Sequence, residues 1–485
     1  MRRPPLPLLL LSLAAVLSRW LTRTDLVQAW DAGNFVLALD RIDLAAQQPH
    51  LPGCFWNLIV LGRALRPLTG GNGVAALELL NALAAGVAVP CAWLLGRRLA
   101  TPRTGWWAAV LVLTAPLLWF YGSQSLSYGV ELGWVLAIAL CGWLVAAGRP
   151  GALVPLAVLM ATAGGIRPNT PIFLLPLALA CCWRGRRLGI APWRIGLALL
   201  LGAGVLVAWF HAFLVEAGGV PLVLRLLQQW QSGHARQSFE GGVLANGWLL
   251  IKTTALTAPL ALALLLALAR RGDTLAANGW RRLFLLLWIT PCSLYFLLVH
   301  FTRMGHATTI LPGLLLAMAL PLAGRSRWPR DLVLVGLLQA LLFLLVPGDR
   351  FASQLRSYDR EWGAAITEAR RFDAATTLVV ASGSREDRAH RLPSVHLPAY
   401  DHDQSDYRLD EVQERVPARP PLQRVLLFDR GLAVPAPPVA GTVSRTLIPG
   451  RLRVHEVPVP AGGLQVGWRA VEPAMTPEVT PEVTP

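Results

Sequence analysis

Long apolar windows alternate with short arginine-bearing breaks down to residue 347, and there the alternation stops. The windows approach the roughly 20 residues that a helix needs to cross about 30 Å of hydrocarbon. Requiring arginine to gather on one side places spans near residues 4–20, 74–96, 104–121, 131–147, 151–166, 170–183, 194–213, 246–269, 283–299, 307–323 and 331–347. That predicts about eleven transmembrane helices, with the N-terminus inside and the C-terminus outside. The start, MRRPPLPLLLLSLAAVLSRW, has the charge and apolar run of a signal peptide but no clean small-x-small cleavage site, so it reads as an uncleaved first span.

Residues 53–69 (GCFWNLIVLGRALRPLT) are apolar but short, and Arg63 and Arg66 interrupt them about one turn apart. An interfacial amphipathic helix fits that pattern, and counting it as a span would put the later arginine clusters outside. The windows 151–166 and 170–183 meet at GGIRPNTP and predict a hairpin with Arg167 at its outer tip. Residues 348–473 carry frequent charge and short apolar runs, TTLVVAS and RVLLFDR, and RTLIPGRLRVHEVPV reads as a hairpin. A small extracytoplasmic α/β domain is expected there, followed by a disordered tail over 474–485, TPEVTPEVTP.

Composition changes this picture little. Apolar residues make up 54% of the 485, with 19 Trp, and the net charge is +16. In a soluble protein that charge would suggest nucleic acid; between apolar windows arginine sets topology instead, and no nucleic-acid partner is expected. Lys252 is the only lysine. The six cysteines show neither a disulfide framework nor a metal-type CxxC.

The acids are more telling. Up to residue 347 they are Asp25, Asp31, Asp40, Asp43, Glu78, Glu131, Glu216, Glu240, Asp273 and Asp331, and four of them crowd into the first outside loop, residues 21–73. One reading is an ordinary solvated loop. The other is a carboxylate held at the membrane face as general base for chemistry on a lipid-borne substrate. Basic side chains stand on the interfacial helix (Arg63 and Arg66), at the hairpin tip (Arg167) and in the late outside loop (Arg303 and His306). Each has a plain role: Arg63 and Arg66 as side chains snorkelling to headgroups, Arg167 as a helix cap, His50 and His306 as packed or backbone-bonded imidazoles, Glu131 as a dipole partner at a helix start.

An early aspartate in a D-x-x-x-F setting (Asp31 to Phe35) is followed by an element like His-Pro-Pro-Gly (Pro49, His50, Leu51, Pro52, Gly53). A second acid follows in the next outside loop (Glu131), and VHFTRMGHATTILP is a late outside motif before a proline-ended span. This order of elements resembles GT-C fold membrane glycosyltransferases, with protein O-mannosyltransferases and aminoarabinose transferases as similar members. Leu51-Pro52 stands where the family has Pro-Pro, and the acceptor-side residues cannot be matched.

The resemblance implies an α-helical polytopic domain over 1–347 that moves a sugar, with inversion, from a polyprenyl-phosphate donor to a hydroxyl of a glycan, lipid or protein. Asp31 and Glu131 are the implied catalytic acids, with Asp40 and Asp43 as secondary acids; His50, Arg63, Arg66, Arg167, Arg303 and His306 are the implied substrate- and phosphate-binding residues, arginine's planar fork being suited to a phosphate. A divalent metal stays open, since no ligand spacing demands one. The implied location is a bacterial inner membrane with the C-terminal domain periplasmic. The alternatives are a transporter or flippase, or a ligase of whole lipid-linked glycans. A transporter would more typically show internal repeats and charge at mid-span, neither of which is seen in the sequence.

Overall fold

A computed structural model describes residues 5–470 apart from 47, 52, 54, 235–241, 263–264, 266–278, 302, 325, 374–375, 382–413, 417–422, 430–432, 437–439 and 460–463. The later part of the 246–269 window, Pro52 and the expected tail 474–485 therefore lie outside the described residues. The chain divides into two compact units, Met1–Arg356 and Ser357–Pro485.

Unit 1 is helical. It comprises α1 (Leu6–Leu21), α2 (Trp30–Ala38), α3 (Trp56–Leu65), α4 (Gly73–Leu99), α5 (Pro102–Thr114), α6 (Pro116–Gly122), α7 (Tyr128–Ala146), α8 (Leu153–Ala163), α9 (Asn169–Arg187), α10 (Pro192–Glu216), α11 (Val220–His234), α12 (Gly242–Thr257), α13 (Gly279–Leu298), α14 (Leu311–Leu322) and α15 (Trp328–Leu345). Every one of the expected windows contains a helix. Among the described residues, α4, α7, α10, α13 and α15 are long and apolar enough to cross a membrane, and the bent pair α5–α6 would make a sixth. The exposed faces of α1, α10 and α15 carry large aliphatics, among them Leu6, Leu13, Leu200, Val207, Val333 and Leu345. Water would penalise such faces and hydrocarbon does not.

α4 is the central element, packed against α1, α5 and α7. Gly70 and Gly71 turn the chain into it at positive φ of 62° and 87°, a region where side chains are disfavoured. The Asn72 side chain then accepts from the Ala75 N–H at 3.1 Å, satisfying one of the free donors of the first turn. α5 and α6 form one apolar rod bent by 54°. Pro116 has no N–H to give to the Val112 carbonyl, so the bend leaves that oxygen without its helical donor. The buried Arg19 of α1 reaches it from Nη2 at 3.5 Å and stacks 4.9 Å over the Trp119 ring. A second polar contact, Gln339 Nε2 to Thr114 Oγ1 at 3.0 Å, joins α15 to the same bend.

The loop leaving α1 is tied down before it reaches α2. Trp119 Nε1 donates to Thr22 Oγ1 at 2.8 Å, and Thr24 Oγ1 donates to the buried Glu78 at 2.5 Å. Its direction is thus set by α4 and α6. The predicted hairpin is α8–α9, and α3 lies beside its tip: Asn57 Nδ2 donates to the Thr162 carbonyl at 2.8 Å, and the Leu58 N–H donates to the Gly165 carbonyl at 3.1 Å.

In unit 2, strands β1 (Thr377–Ala381), β3 (Arg424–Asp429), β6 (Leu452–Pro458) and β5 (Val443–Ile448) form a sheet in the order β1-β3-β6-β5. β1 runs parallel to β3 and the other pairings are antiparallel. Val425, Leu426, Leu427 and Phe428 of β3 are all buried, as suits an inner strand covered on both faces. β2 (Glu414–Val416), β7 (Leu464–Ala470) and β4 (Ala433–Ala436) make a second sheet. On α16 (Ala352–Ala369), Trp362, Ala365, Ile366 and Ala369 share a buried face at helical spacing. Arg445 of β5 holds Glu368 of that helix at 2.6 Å.

Candidate active site

Asp31 sits in the first turn of α2, where a carboxylate is favoured by the unsatisfied N–H groups of the helix start. Its side chain is 19% exposed. Arg303 donates from Nη1 to Oδ2 at 3.1 Å, and His50 Nε2 lies 3.9 Å from Oδ1.

The D-x-x-x-F spacing has a physical basis here. Positions i and i+4 share a helix face, so Phe35 presents its ring beside Asp31 to the same neighbour. That neighbour is His50, whose ring centroid lies 5.4 Å from Phe35 and 5.1 Å from Phe55; the two phenylalanines are 4.7 Å apart. Gly53 is required for this packing, because a Cβ there would lie 1.6 Å from the Phe55 ring. Burial holds the His50 imidazole below its ordinary pKa, against the pull of Asp31 and with the help of the charges on Arg303 and Arg167. It is therefore neutral near pH 7.

Glu131 lies one turn into α7 and is 1% exposed. Oε2 accepts from Arg167 Nη1 at 2.8 Å, and Oε1 accepts from Thr170 Oγ1 at 2.6 Å and Thr309 Oγ1 at 2.7 Å. Thr309 is set in turn by Trp288, whose Nε1 donates to its carbonyl at 2.8 Å. The Arg167 guanidinium, 15% exposed, is stacked 4.9 Å over the Tyr128 ring. His306 belongs to the 3₁₀ turn Met304–Thr309, with its ring 6.2 Å from Tyr128 and 6.4 Å from His300. Burial, then Arg167 and Arg303, hold its pKa well below the ordinary value.

The structure thus gathers Asp31, His50, Arg167, Arg303 and His306, with Glu131 behind Arg167. Asp40, Asp43, Arg63 and Arg66 are placed elsewhere. Arg63 donates to Glu216 at 2.5 and 3.0 Å and to the carbonyls of Ala38 and Leu39 at 3.0 and 2.9 Å, so it caps the far end of α2 and ties it to the end of α10. Arg66 pairs with Asp40 and donates to the Gly71 carbonyl at 2.7 Å. Asp43 builds a turn. Its backbone pairs with Gln48, and its carboxylate accepts from the Ala46 N–H at 3.1 Å and from Arg41 at 2.5 Å. The Ala46 N–H is the main reason its pKa falls below the usual value. The C-terminal end of a nine-residue helix lies about 12 Å from its start at 1.5 Å per residue, which separates this latch from Asp31.

Tyr128, Thr170 and Thr309 were not singled out from sequence. Tyr128 had a signal, its i, i+3 relation to Glu131; the threonines had none. Among the described residues no group of three or more His, Cys, Asp or Glu is close enough to hold a metal ion. An apolar cavity of about 250 Å³ runs between α8, α9 and α10, lined by residues such as Leu156, Met160, Leu175, Leu179 and Leu206. Two of its walls belong to the hairpin that carries Arg167 at its tip.

No protein-family model matches the sequence, and no curated protein does. Solved structures do match. ArnT from Cupriavidus metallidurans bound to undecaprenyl phosphate is 14% identical, with a TM-score of 0.57 over 92% of this chain and 97% of that one. The same protein in the apo state gives 13% and a TM-score of 0.52 over the same shares. An archaeal oligosaccharyltransferase, AglB from Archaeoglobus fulgidus in complex with an inhibitory peptide and a dolichol-phosphate, is 13% identical at a TM-score of 0.45, covering 87% and 69%. The likeness to ArnT shows the fold, which is the GT-C fold expected from the order of elements. With its apolar helices, the chain is a multi-pass membrane protein.

Proposed function

We propose that the chain is a glycosyltransferase that moves a sugar, with inversion, from a polyprenyl-phosphate donor to an acceptor hydroxyl at the outer face of a bacterial inner membrane. The observation that carries this reading is the largely buried Asp31 carboxylate, held by Arg303 beside a neutral His50, with Arg167 and His306 across the site. Asp31 accepts the acceptor hydroxyl's proton as its oxygen bonds to the anomeric carbon. On the opposite side of that carbon the bond to the phosphate oxygen breaks, and the electron pair leaves with the polyprenyl phosphate. Arg303 and Arg167 stabilise the charge gained by the leaving group, and neutral His306 offers it an N–H.

Glu131 has a different part. Three donors occupy its oxygens and it is buried, so it positions Arg167 rather than exchanging a proton. Arg63, Arg66, Asp40 and Asp43 hold α2 and the His50 turn in place. The all-apolar cavity along α8–α10 supports a lipid-borne substrate, as does the undecaprenyl phosphate bound by ArnT. The acceptor class is a glycan, lipid or protein hydroxyl, and the charge pattern favours a cytoplasmic N-terminus with residues 348–473 as a periplasmic domain.

The test uses membranes containing wild type or Asp31→Asn, supplied with radiolabelled polyprenyl-phosphate sugars. Label should leave the lipid and reach an acceptor only with Asp31 present. Donor left intact by both proteins would overturn the reading in favour of a transporter or a ligase of lipid-linked glycans.

A further inference from the structure

We propose that Tyr128 is a positioning residue, whose ring fixes the Arg167 guanidinium on one element and the Arg303–His306 turn on another at a set separation. This rests on the phosphate-binding reading of those arginines. Tyr128 is 4% exposed and opens α7, one turn before Glu131. Arg167 is therefore gripped from two positions on the same helix: Glu131 Oε2 holds one of its nitrogens at 2.8 Å, and the Tyr128 ring lies 4.9 Å from its Cζ. An ion pair alone would leave the guanidinium plane free to swing, and a π face beneath it favours one plane.

The late loop uses the same ring. A Cβ at Gly305 would lie 2.6 Å from two Tyr128 ring atoms, so the backbone between Arg303 and His306 rests against the ring. Glycine is needed there for space, since its backbone is not in the left-handed region. The ring itself has little freedom. Tyr121 packs edge-on at 4.9 Å. Asn81 of α4, buried, donates from Nδ2 to the carbonyls of Gln124 and Leu126 at 2.6 and 2.7 Å, and accepts the Val130 N–H at 2.8 Å. The turn before Tyr128 is thereby nailed to α4, and the ring becomes a fixed spacer between two groups that must grip one phosphate.

The test titrates undecaprenyl phosphate into the full chain in nanodiscs, as wild type, Y128F, Y128L and G305A, with thermal unfolding of the ligand-free proteins alongside. Y128F keeps the π face and should bind within about twofold of wild type. Y128L and G305A should bind roughly tenfold more weakly. Wild-type affinity in a folded Y128L, or an equal loss in Y128F, would overturn the proposal; if Y128L does not fold, unchanged affinity in G305A does so instead. Absence of binding by wild type would be a separate failure, that of the phosphate reading itself.

Discussion

Arg303 Nη1 donates to Asp31 Oδ2 over 3.1 Å, closing a separation of 272 residues along the chain. The pair puts the candidate base and a candidate phosphate ligand in direct contact. Asp31→Asn keeps the shape and removes the charge. General-base catalysis contributes about 10² to 10⁴-fold, so transfer should fall by roughly 10³-fold. Both side chains are partly exposed, at 19% and 25%, so folding stability should move by no more than about 1 kcal/mol. Turnover and thermal unfolding measured on the same preparations check this.

Glu131→Ala should be costly for folding. It strands Arg167 and two hydroxyls in a buried place, and breaking one side of a buried pair costs about 3 to 5 kcal/mol. Removing Arg167 as well should restore part of the loss. A double-mutant cycle by thermal unfolding in detergent measures the coupling, and purely additive losses would contradict the pairing.

Arg63→Ala and Arg66→Ala should leave donor KM within about threefold of wild type, because their partners are Glu216 and Asp40 and such part-exposed pairs contribute about 0 to 1 kcal/mol. Arg303→Ala should raise the same constant far more. The comparison is made by donor titration, and equal effects would place all three arginines on the phosphate.

Acid should weaken the site through His306. Its pKa in the folded chain lies well below 6.5, so the unfolded chain binds the proton more readily. Stability is full above about pH 6.5 and declines as pH falls below that value toward the folded pKa. His306→Asn removes the titrating group and should flatten stability against pH below about 6.5. An unchanged slope in the variant would show that another group sets it.

Much of this was readable in the residues. Apolar windows gave helices at each expected place, and the D-x-x-x-F spacing put Asp31 and Phe35 on one face because helical periodicity is local. Arg167 and Glu131 were each marked by being charges where charge is scarce. Their contact was not legible, since it depends on how α7 packs against the α8–α9 hairpin. Arg63 and Arg66 misled for the same reason: pattern identifies an interfacial arginine, while its partner, Glu216 in one case, is 153 residues away. Tyr128 and Thr309 are common residue types whose roles exist only in three dimensions.

The three donors on Glu131 also carry a consequence for biogenesis. Arg167 and Thr170 follow it by 36 and 39 residues, and Thr309 by 178. Emerging from the ribosome in that order, α7 enters the bilayer with its carboxylate unmatched, is first neutralised when the next hairpin arrives, and is completed only after most of the helices have been made. The candidate site is thus among the last parts of unit 1 to form, and a chain stalled before residue 309 holds its acid without its full set of partners.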